Sequence, residues 1–499
     1  MTTLSRLARV LGSGVIVAGL AAHASADVAA ADAAPGGLVL DQVVQVTLSA
    51  SPELKLAATE VEIASGELTV SRAAFELKLT TAATASRTSP LDANGARAVQ
   101  QDFLVTAGAQ RLLRNGVLAT SEVSLTRSLL SRSLGADTAK ADVRLGVSIP
   151  LLRDRGGASS AAAEQAAARD HEAARWGLRH AAAQQVLAAV AAYWDYQAAH
   201  RRLEVLRASE ARAERAVEET RALVQADERT PADLIQLQGN AASKRATRAS
   251  AEQGIVAART ALGLAMGLPA DAIATLPPPA TAFPKPASGA ARLDAGLVAD
   301  TYRRRADLAA AEQRTRSASI RLEAARSDQR PRLDLLLNTG YRASDAESLD
   351  EPRVDALVEL RLELPLSNSA ARGQVMQSSA AQQQRHLAHD DLRRRIAADV
   401  AMAVEAVTHA EATMLESAEA VHLFETGIQA VQRKFQLGGA TLFDLIQAQD
   451  ALTNALLFDV ESQRDHAVAI AVLSFQSGRL VEGDRDNFRV PVADLVRAP

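Results

Sequence analysis

Two acidic residues occupy the same place in a motif that occurs twice. Asp233-Leu234-Ile235-Gln236-Leu237-Gln238 returns as Asp444-Leu445-Ile446-Gln447-Ala448-Gln449, 211 positions later (444 against 233). Each copy follows a break in an apolar pattern, Asp227–Pro231 in the first and Gly438-Gly439 in the second. An aspartate just after such a break can cap a helix N-terminus, and the neighbouring Pro231 and Thr441 suit that role. It can also offer a carboxylate to an ion. Other chemistry is sparse. His386 and His389 are three apart on an expected helix, spacing that could bind a metal, but they read as solvent-facing. Arg393-Arg394-Arg395 reads as a solvated helix face, and Gly12-Ser13-Gly14 lies in the N-terminal apolar run. The carboxylates are scattered, without the pocket pattern of an acid–base pair. No glycine-rich phosphate loop appears. No enzyme, cofactor or metal is expected.

Composition says what kind of scaffold holds these residues. The chain has 499 residues, a net charge of −4, 48% hydrophobic residues, 3% aromatic residues and no cysteine. A nucleic-acid partner would favour a strongly basic chain. The missing cysteine removes disulfides, thiolate metal sites, cysteine nucleophiles and any lipid attached through an N-terminal cysteine. Apolar content made mainly of Ala, Leu and Val, with 23% charged residues, points to long, closely packed helices. Arg6 and Arg9, the apolar run Val10–Leu20 and the small-x-small site Ala24-Ser25-Ala26 have the layout of a secretory signal peptide, giving a mature chain from about Asp27. Later apolar runs, such as Val186–Tyr193 and Ala467–Phe475, fall short of the roughly 18–20 residues of a spanning helix. If the mature chain enters a membrane, it does so as a closed β-barrel.

The repeat extends beyond the acidic motif. Gly267 answers Gly478, Leu262 answers Leu473, Ile149-Pro150-Leu151 answers Leu364-Pro365-Leu366, and Pro52-Glu53-Leu54 answers Ala306-Asp307-Leu308. Ordered echoes of this kind mark one unit written twice. The expected division is a signal peptide over 1–26, repeat 1 over 27–275, a Pro-rich linker over 276–290, repeat 2 over 291–478 and a tail over 479–499. Each repeat reads helix, strand, strand, long helix, helix. In repeat 1 these are about Val39–Phe75 with a restart at Ser51-Pro52, Leu77–Ser86, Val143–Ile149, Ala158–Ala226 and a helix ending near Gly267. In repeat 2 they are about Leu293–Ser327, Pro331–Tyr341, Val354–Leu364, Ser369–Leu437 and Thr441–Ser477. The longer segment 87–142, with its turn signal Arg114-Asn115-Gly116, suggests an added hairpin on the outer face.

Long helices of about 70 residues span roughly 105 Å, and short ones of about 36 span roughly 55 Å. Two short helices end to end therefore match one long one. Leu203, Leu206, Glu210, Ala213, Val217, Thr220 and Val224 keep coiled-coil spacing, as do Val400, Val404, Val407, Glu411, Met414, Ala418 and Val421. These seams are weak, so lateral association into a larger cylinder is expected. Two strands per repeat give four per chain, too few for a barrel, for which about eight is the minimum. Three chains would give twelve; two would also reach the minimum.

The ordered set of repeat, strand-ending Ile149-Pro150-Leu151 and Leu364-Pro365-Leu366, and Phe435-Gln436-Leu437-Gly438…Thr441…Asp444-Leu445 resembles the TolC family of outer-membrane channels over essentially the whole mature chain. The resemblance implies a mainly α protein with β: a tandem-repeat α-helical coiled-coil barrel in the periplasm, under a transmembrane β-barrel completed by trimerisation with four strands per chain. It implies a homotrimer in outer-membrane lipid, a periplasmic adaptor at the helix–turn–helix tips, and an inner-membrane transporter that supplies energy for the passive export of small molecules or polypeptides. By the same resemblance, Asp444 and its counterpart Asp233 narrow the periplasmic entrance, with Gln447 where another acid is familiar. Phe435 and Ala440 replace a Tyr and an Arg that lock the closed pore. Asp227, Glu228 and Thr230 in one tip, and Leu437, Gly438, Gly439 and Thr441 in the other, would meet the adaptor. Physically, six carboxylates near a threefold axis would oppose full ionisation and attract cations. The competing readings are a periplasmic adaptor and a non-porous coiled-coil scaffold.

Overall fold

The computed structural model describes residues 37–496 except 90, 92–94, 96, 98, 131–136, 287–294, 345–352, 438 and 484–486. The expected signal peptide, part of the linker and Gly438 lie outside the described residues.

The element order follows the repeat. In repeat 1, α1 (Leu40–Ala50) and α2 (Pro52–Arg72) lead into the sheet, and α3 (Ala162–Gln225) and α4 (Pro231–Ala265) follow it. In repeat 2, α6 (Ala295–Arg304) and α7 (Ala306–Asp328) lead in, and α8 (Ser369–Gln436) and α9 (Leu442–Gln476) follow. Two short helices, α5 (Ala270–Ala274) and α10 (Val492–Val496), lie in the connector and the tail. The long helices hold 64 and 68 residues and so run roughly 96–102 Å. α3 packs on α2 and α7 near the sheet and on α4 and α9 farther away, while α8 packs on α7 and α9. Pairs of short helices therefore do line each long one.

The seams are buried much as spaced. Leu203, Leu206, Ala213, Val217 and Thr220 are buried on α3, and Val400, Val404, Val407 and Met414 on α8. Past Met414 the seam shifts, leaving Ala418 exposed and Ser417 buried. The Ser417 hydroxyl lies 2.7 Å from that of Ser462 on α9 and donates to Asp459 at 3.0 Å, which satisfies the polar atoms that the contact buries.

The strand number expected from the sequence is corrected. Among the described residues the chain carries six strands, not four: β1 (Lys78–Thr88), β2 (Gln100–Leu112), β3 (Leu118–Leu130), β4 (Thr138–Pro150), β5 (Arg332–Ser344) and β6 (Arg353–Glu363). They form one antiparallel sheet in chain order, β1 to β6. The hairpin suggested over 87–142 is present, and it lies within the sheet between the two expected strands of repeat 1. Its turn is the Asn115-Gly116 pair, with Gly116 at φ +84° and the Leu113 amide donating to the Val117 carbonyl at 2.8 Å.

The main core lies midway along the rods, around the centre of α3. Tyr193 and Trp194 on α3 are fully buried among Leu40, Val43, Leu262, Met266, Ala467 and Ala471. The Tyr193 hydroxyl donates to the Leu38 carbonyl at 3.0 Å and accepts from the Thr281 amide at 2.9 Å. This binds the Pro-rich connector to the start of the chain. The tail, which carries α10, docks here too: Leu480, Val481 and Leu495 belong to this core.

Short helices meet end to end at two matching joints. Gly267, at φ +77°, follows α4 and seats against Ser51 and Pro52 between α1 and α2. Gly478, at φ +72°, follows α9 and seats against Arg304 and Arg305 between α6 and α7. Ser51 starts α2 without a side-chain cap; its hydroxyl donates to Glu53 at 2.9 Å, while Pro52 takes the first helical position. The second joint is ionic: buried Arg305 grips Asp307 through two contacts of 2.9 and 2.7 Å and donates to the Gln476 side chain at 2.7 Å.

Candidate functional site: the helical tips

The ends of the rods farthest from the sheet are two helix–turn–helix tips, α3–α4 and α8–α9. In the first, the Asp227 amide donates to Val224 and the Glu228 amide reaches back to the Leu223 carbonyl at 2.9 Å. Asp227 takes the left-handed conformation at φ +59°. In the second, the Gly439 amide reaches back to Lys434 at 2.8 Å. Both closures satisfy carbonyls that the helix end leaves open. Asp227 stands where the repeat register places Gly438, and aspartate is one of the few residues besides glycine that visits this region.

The following helices start alike. Thr230 and Thr441 are the N-caps, accepting from the Asp233 and Asp444 amides at 3.3 and 3.2 Å. Asp444 answers in kind: its Oδ2 accepts from the Thr441 amide at 2.8 Å and hydroxyl at 2.7 Å, closing a capping box. These bonds, the hydroxyl first, hold the Asp444 carboxyl below the usual aspartate range. The threonines therefore cap, and the aspartates sit one turn further in. Asp444 and Gln447 are exposed and Asp233 is half-exposed, so neither carboxylate is consumed by an ion pair with another helix.

The tips also present apolar surface. Leu437 is 81% exposed, and Phe443 and Ile235 are exposed beside it in the two motifs. Asp227, Glu228, Thr230, Gly439 and Thr441 are exposed as well. The structure thus brings the expected tip residues to one end of the molecule.

Sequence reasoning missed the contacts that tie one tip to the other. Arg229, inside the first break, lies over the Phe435 ring of α8 at 4.6 Å. Lys244 of α4 pairs with Asp450 of α9 at 2.5 Å, and Arg212 of α3 donates to the Thr453 hydroxyl of α9 at 3.1 Å. Beneath them, Ala213, Val217, Leu237 and Leu442 form a small shared core. Nothing in the spacing of these residues pairs them; only the folding of the two repeats onto each other does.

Comparison with known proteins fits this geometry. Residues 297–475 match the outer membrane efflux protein family. Over that segment the chain is similar to this family, and its fold is that of the TolC-like outer membrane channels. Its fold is shared with the outer membrane protein VceC of Vibrio cholerae, at TM-score 0.66 and 19% identity over 88% of this chain and 96% of that one. The CmeC outer membrane channel of Campylobacter jejuni matches at 0.66 and 14%, over 88% and 85%. The open-state MtrE outer membrane channel of Neisseria gonorrhoeae matches at 0.63 and 19%, over 88% of each. No curated protein sequence matches the chain. At these identities the solved structures speak to fold, and the family match speaks for residues 297–475. Among the described residues no helix is long and apolar enough to cross a membrane.

Proposed function

We propose that this chain is an outer-membrane efflux channel, a transport protein that reaches from the outer membrane into the periplasm, and that three copies close one conduit, with each sheet contributing a third of the wall and each set of rods a third of the tunnel. The observation that carries the reading is the open sheet. β1 and β6 are its two edges, they pair with each other nowhere along the ladder, and both are exposed through almost their whole length. An exposed edge of 11 residues in lipid leaves unpaired backbone groups that only a neighbouring edge can satisfy. Closure by a second and third copy satisfies them all.

In the trimer the Asp233 and Asp444 carboxylates, with Gln447 beside them, narrow the periplasmic entrance and favour cations there. Asp227, Glu228, Thr230, Leu437, Gly438, Gly439 and Thr441 form the surface for a periplasmic adaptor, which couples the channel to an inner-membrane transporter. The chain itself conducts passively, carrying small molecules or polypeptides outward. The division into a removed leader (1–26), repeat 1 (27–275), linker (276–290), repeat 2 (291–478) and tail (479–499) belongs to this reading. Extraction of the full chain from outer membranes in mild detergent tests it: a trimer by native mass is expected, and a monomer that reconstitutes without conductance refutes it.

A further inference from the structure

The hairpin β2–β3 enlarges the sheet by half, and its position within the sheet decides what it faces. Its ladders are continuous on both sides, from Lys78↔Gln110 to Thr88↔Gln100 against β1 and from Leu118↔Ser148 to Ser128↔Thr138 against β4. It is therefore part of the sheet rather than a flap beside it. Register then fixes which side chains share a face. Thr81, Ala107, Val123, Val143, Tyr341 and Val354 lie directly side by side across all six strands. One residue over, Ala82, Thr106, Ser124, Asp142, Arg342 and Arg353 do the same on the opposite face. The apolar face continues through the hairpin, where Phe103, Val105, Val123 and Leu125 are all exposed, and gives way to Ser121 and Arg127 on either side of them along β3. The polar face runs through it too, with Gln110, Glu122 and Ser124. Hairpin strands of 13 residues are long enough to cross a bilayer at the usual tilt.

The hairpin turn is also held at the level where the sheet meets the rods. Arg114 grips Glu164 of α3 through contacts of 2.7 and 2.9 Å and lies over the Phe75 ring at 5.0 Å. A Cβ on Gly157 would fall 1.8 Å from the Arg114 carbonyl, and one on Gly116 would fall 2.8 Å from that of Asp154. The turn is thus seated closely on the segment that leads into α3.

We propose that β2 and β3 are lipid-facing wall, so that the outer-membrane barrel of this channel closes with eighteen strands, six from each of three chains. The claim rests on the trimeric reading above. Strands about 4.8 Å apart and tilted about 40° give a backbone diameter of roughly 24 Å for twelve strands and roughly 36 Å for eighteen. Barrels of 16–18 strands leave an aqueous channel. The barrel is then not the part of the conduit that limits cargo size, and that limit falls to the periplasmic entrance. The partner of the hairpin's apolar face is outer-membrane lipid, by continuity with the same face of β4, β5 and β6.

The chain has no cysteine, so single cysteines report without background. Val105→Cys, Thr106→Cys, Val123→Cys and Ser124→Cys, with Val358→Cys and Asn338→Cys as references on β6 and β5, are reconstituted as full chains in phosphatidylcholine liposomes and treated with a membrane-impermeant maleimide. Native mass gives the oligomeric state of each. The proposal expects trimers, labelling at positions 106, 124 and 338, and loss of labelling at 105, 123 and 358. Trimers in which the references alternate but 105 and 123 label as fully as 106 and 124 overturn the hairpin's place in the wall and leave the trimer standing. Trimers in which all four hairpin positions resist labelling make the hairpin a plug and overturn it equally. Absence of trimers, or references that do not alternate, removes the trimeric reading and the eighteen strands with it.

Discussion

Gly267→Ala tests whether the short helices are held end to end by close contact. A Cβ on Gly267 would lie 2.8 Å from Pro52 Cδ, 2.8 Å from Ser51 Cα and 3.0 Å from the Ala50 carbonyl, and the backbone stands at φ +77°. The left-handed conformation costs an alanine about 1 kcal/mol. Forcing a methyl against backbone and a proline ring adds about 1–3 kcal/mol. Together the joint should lose about 2–4 kcal/mol. At about 1.4 kcal/mol per factor of ten, amide protection around residues 46–56 should fall roughly 30- to 1,000-fold. Gly427→Ala on α8 is the control, since a Cβ there meets nothing within 4 Å. An exposed helical glycine replaced by alanine should gain up to about 1 kcal/mol. Hydrogen exchange read by mass spectrometry on the full assembly in detergent measures both. If Gly267→Ala keeps wild-type protection, or if Gly427→Ala loses as much, steric seating does not hold the joint.

Asp444→Asn removes a charge while leaving an acceptor for Thr441, whereas Thr441→Ala removes the cap and leaves the charge. Bilayer recording should show weaker divalent-cation block in the first and little change in block in the second; equal block in all three proteins would sink the entrance reading. Because its pKa is lowered, Asp444 stays ionised through mildly acid solution. Cation block should therefore persist down to the ordinary aspartate range and fade only below it, as a conductance–pH series would show. Arg114→Ala should free the hairpin turn, speeding exchange at residues 113–117 without dissolving the sheet. The Arg114 hydrogen bond also holds the Glu164 carboxyl below its ordinary range, so this anchor is complete above the ordinary glutamate value and is lost as pH falls through the lowered one. Tyr193→Phe strands the Thr281 amide, which should cost about 1–3 kcal/mol, read as faster exchange in the connector.

Much of this architecture was legible in the residues. Breaks at Ser51-Pro52, Asp227–Pro231 and Gly438-Gly439 placed the helix ends, since proline and glycine act through local backbone geometry. The expected long helix ending at Leu437 ends at Gln436. The motif also led to the right turns, yet the role of its aspartates needed coordinates: the threonines, not the aspartates, are the caps. The strand number failed for a different reason. Alternation in Val123-Ser124-Leu125-Thr126 is visible, but periodicity alone does not tell whether a hairpin stands beside a sheet or within it. Only the ladders on both its flanks decide that. Contacts such as Arg229 over Phe435 were out of reach for a related reason. They join residues about two hundred positions apart, and no local preference records them.

Because the extra strands come as a pair, the chain enters α3 heading in the same direction as it would without them. Girth within the membrane can thus change by two staves per subunit while every rod, joint and tip below keeps its register. A lineage of such proteins could retune the outer mouth and still fit unaltered machinery on the inner side.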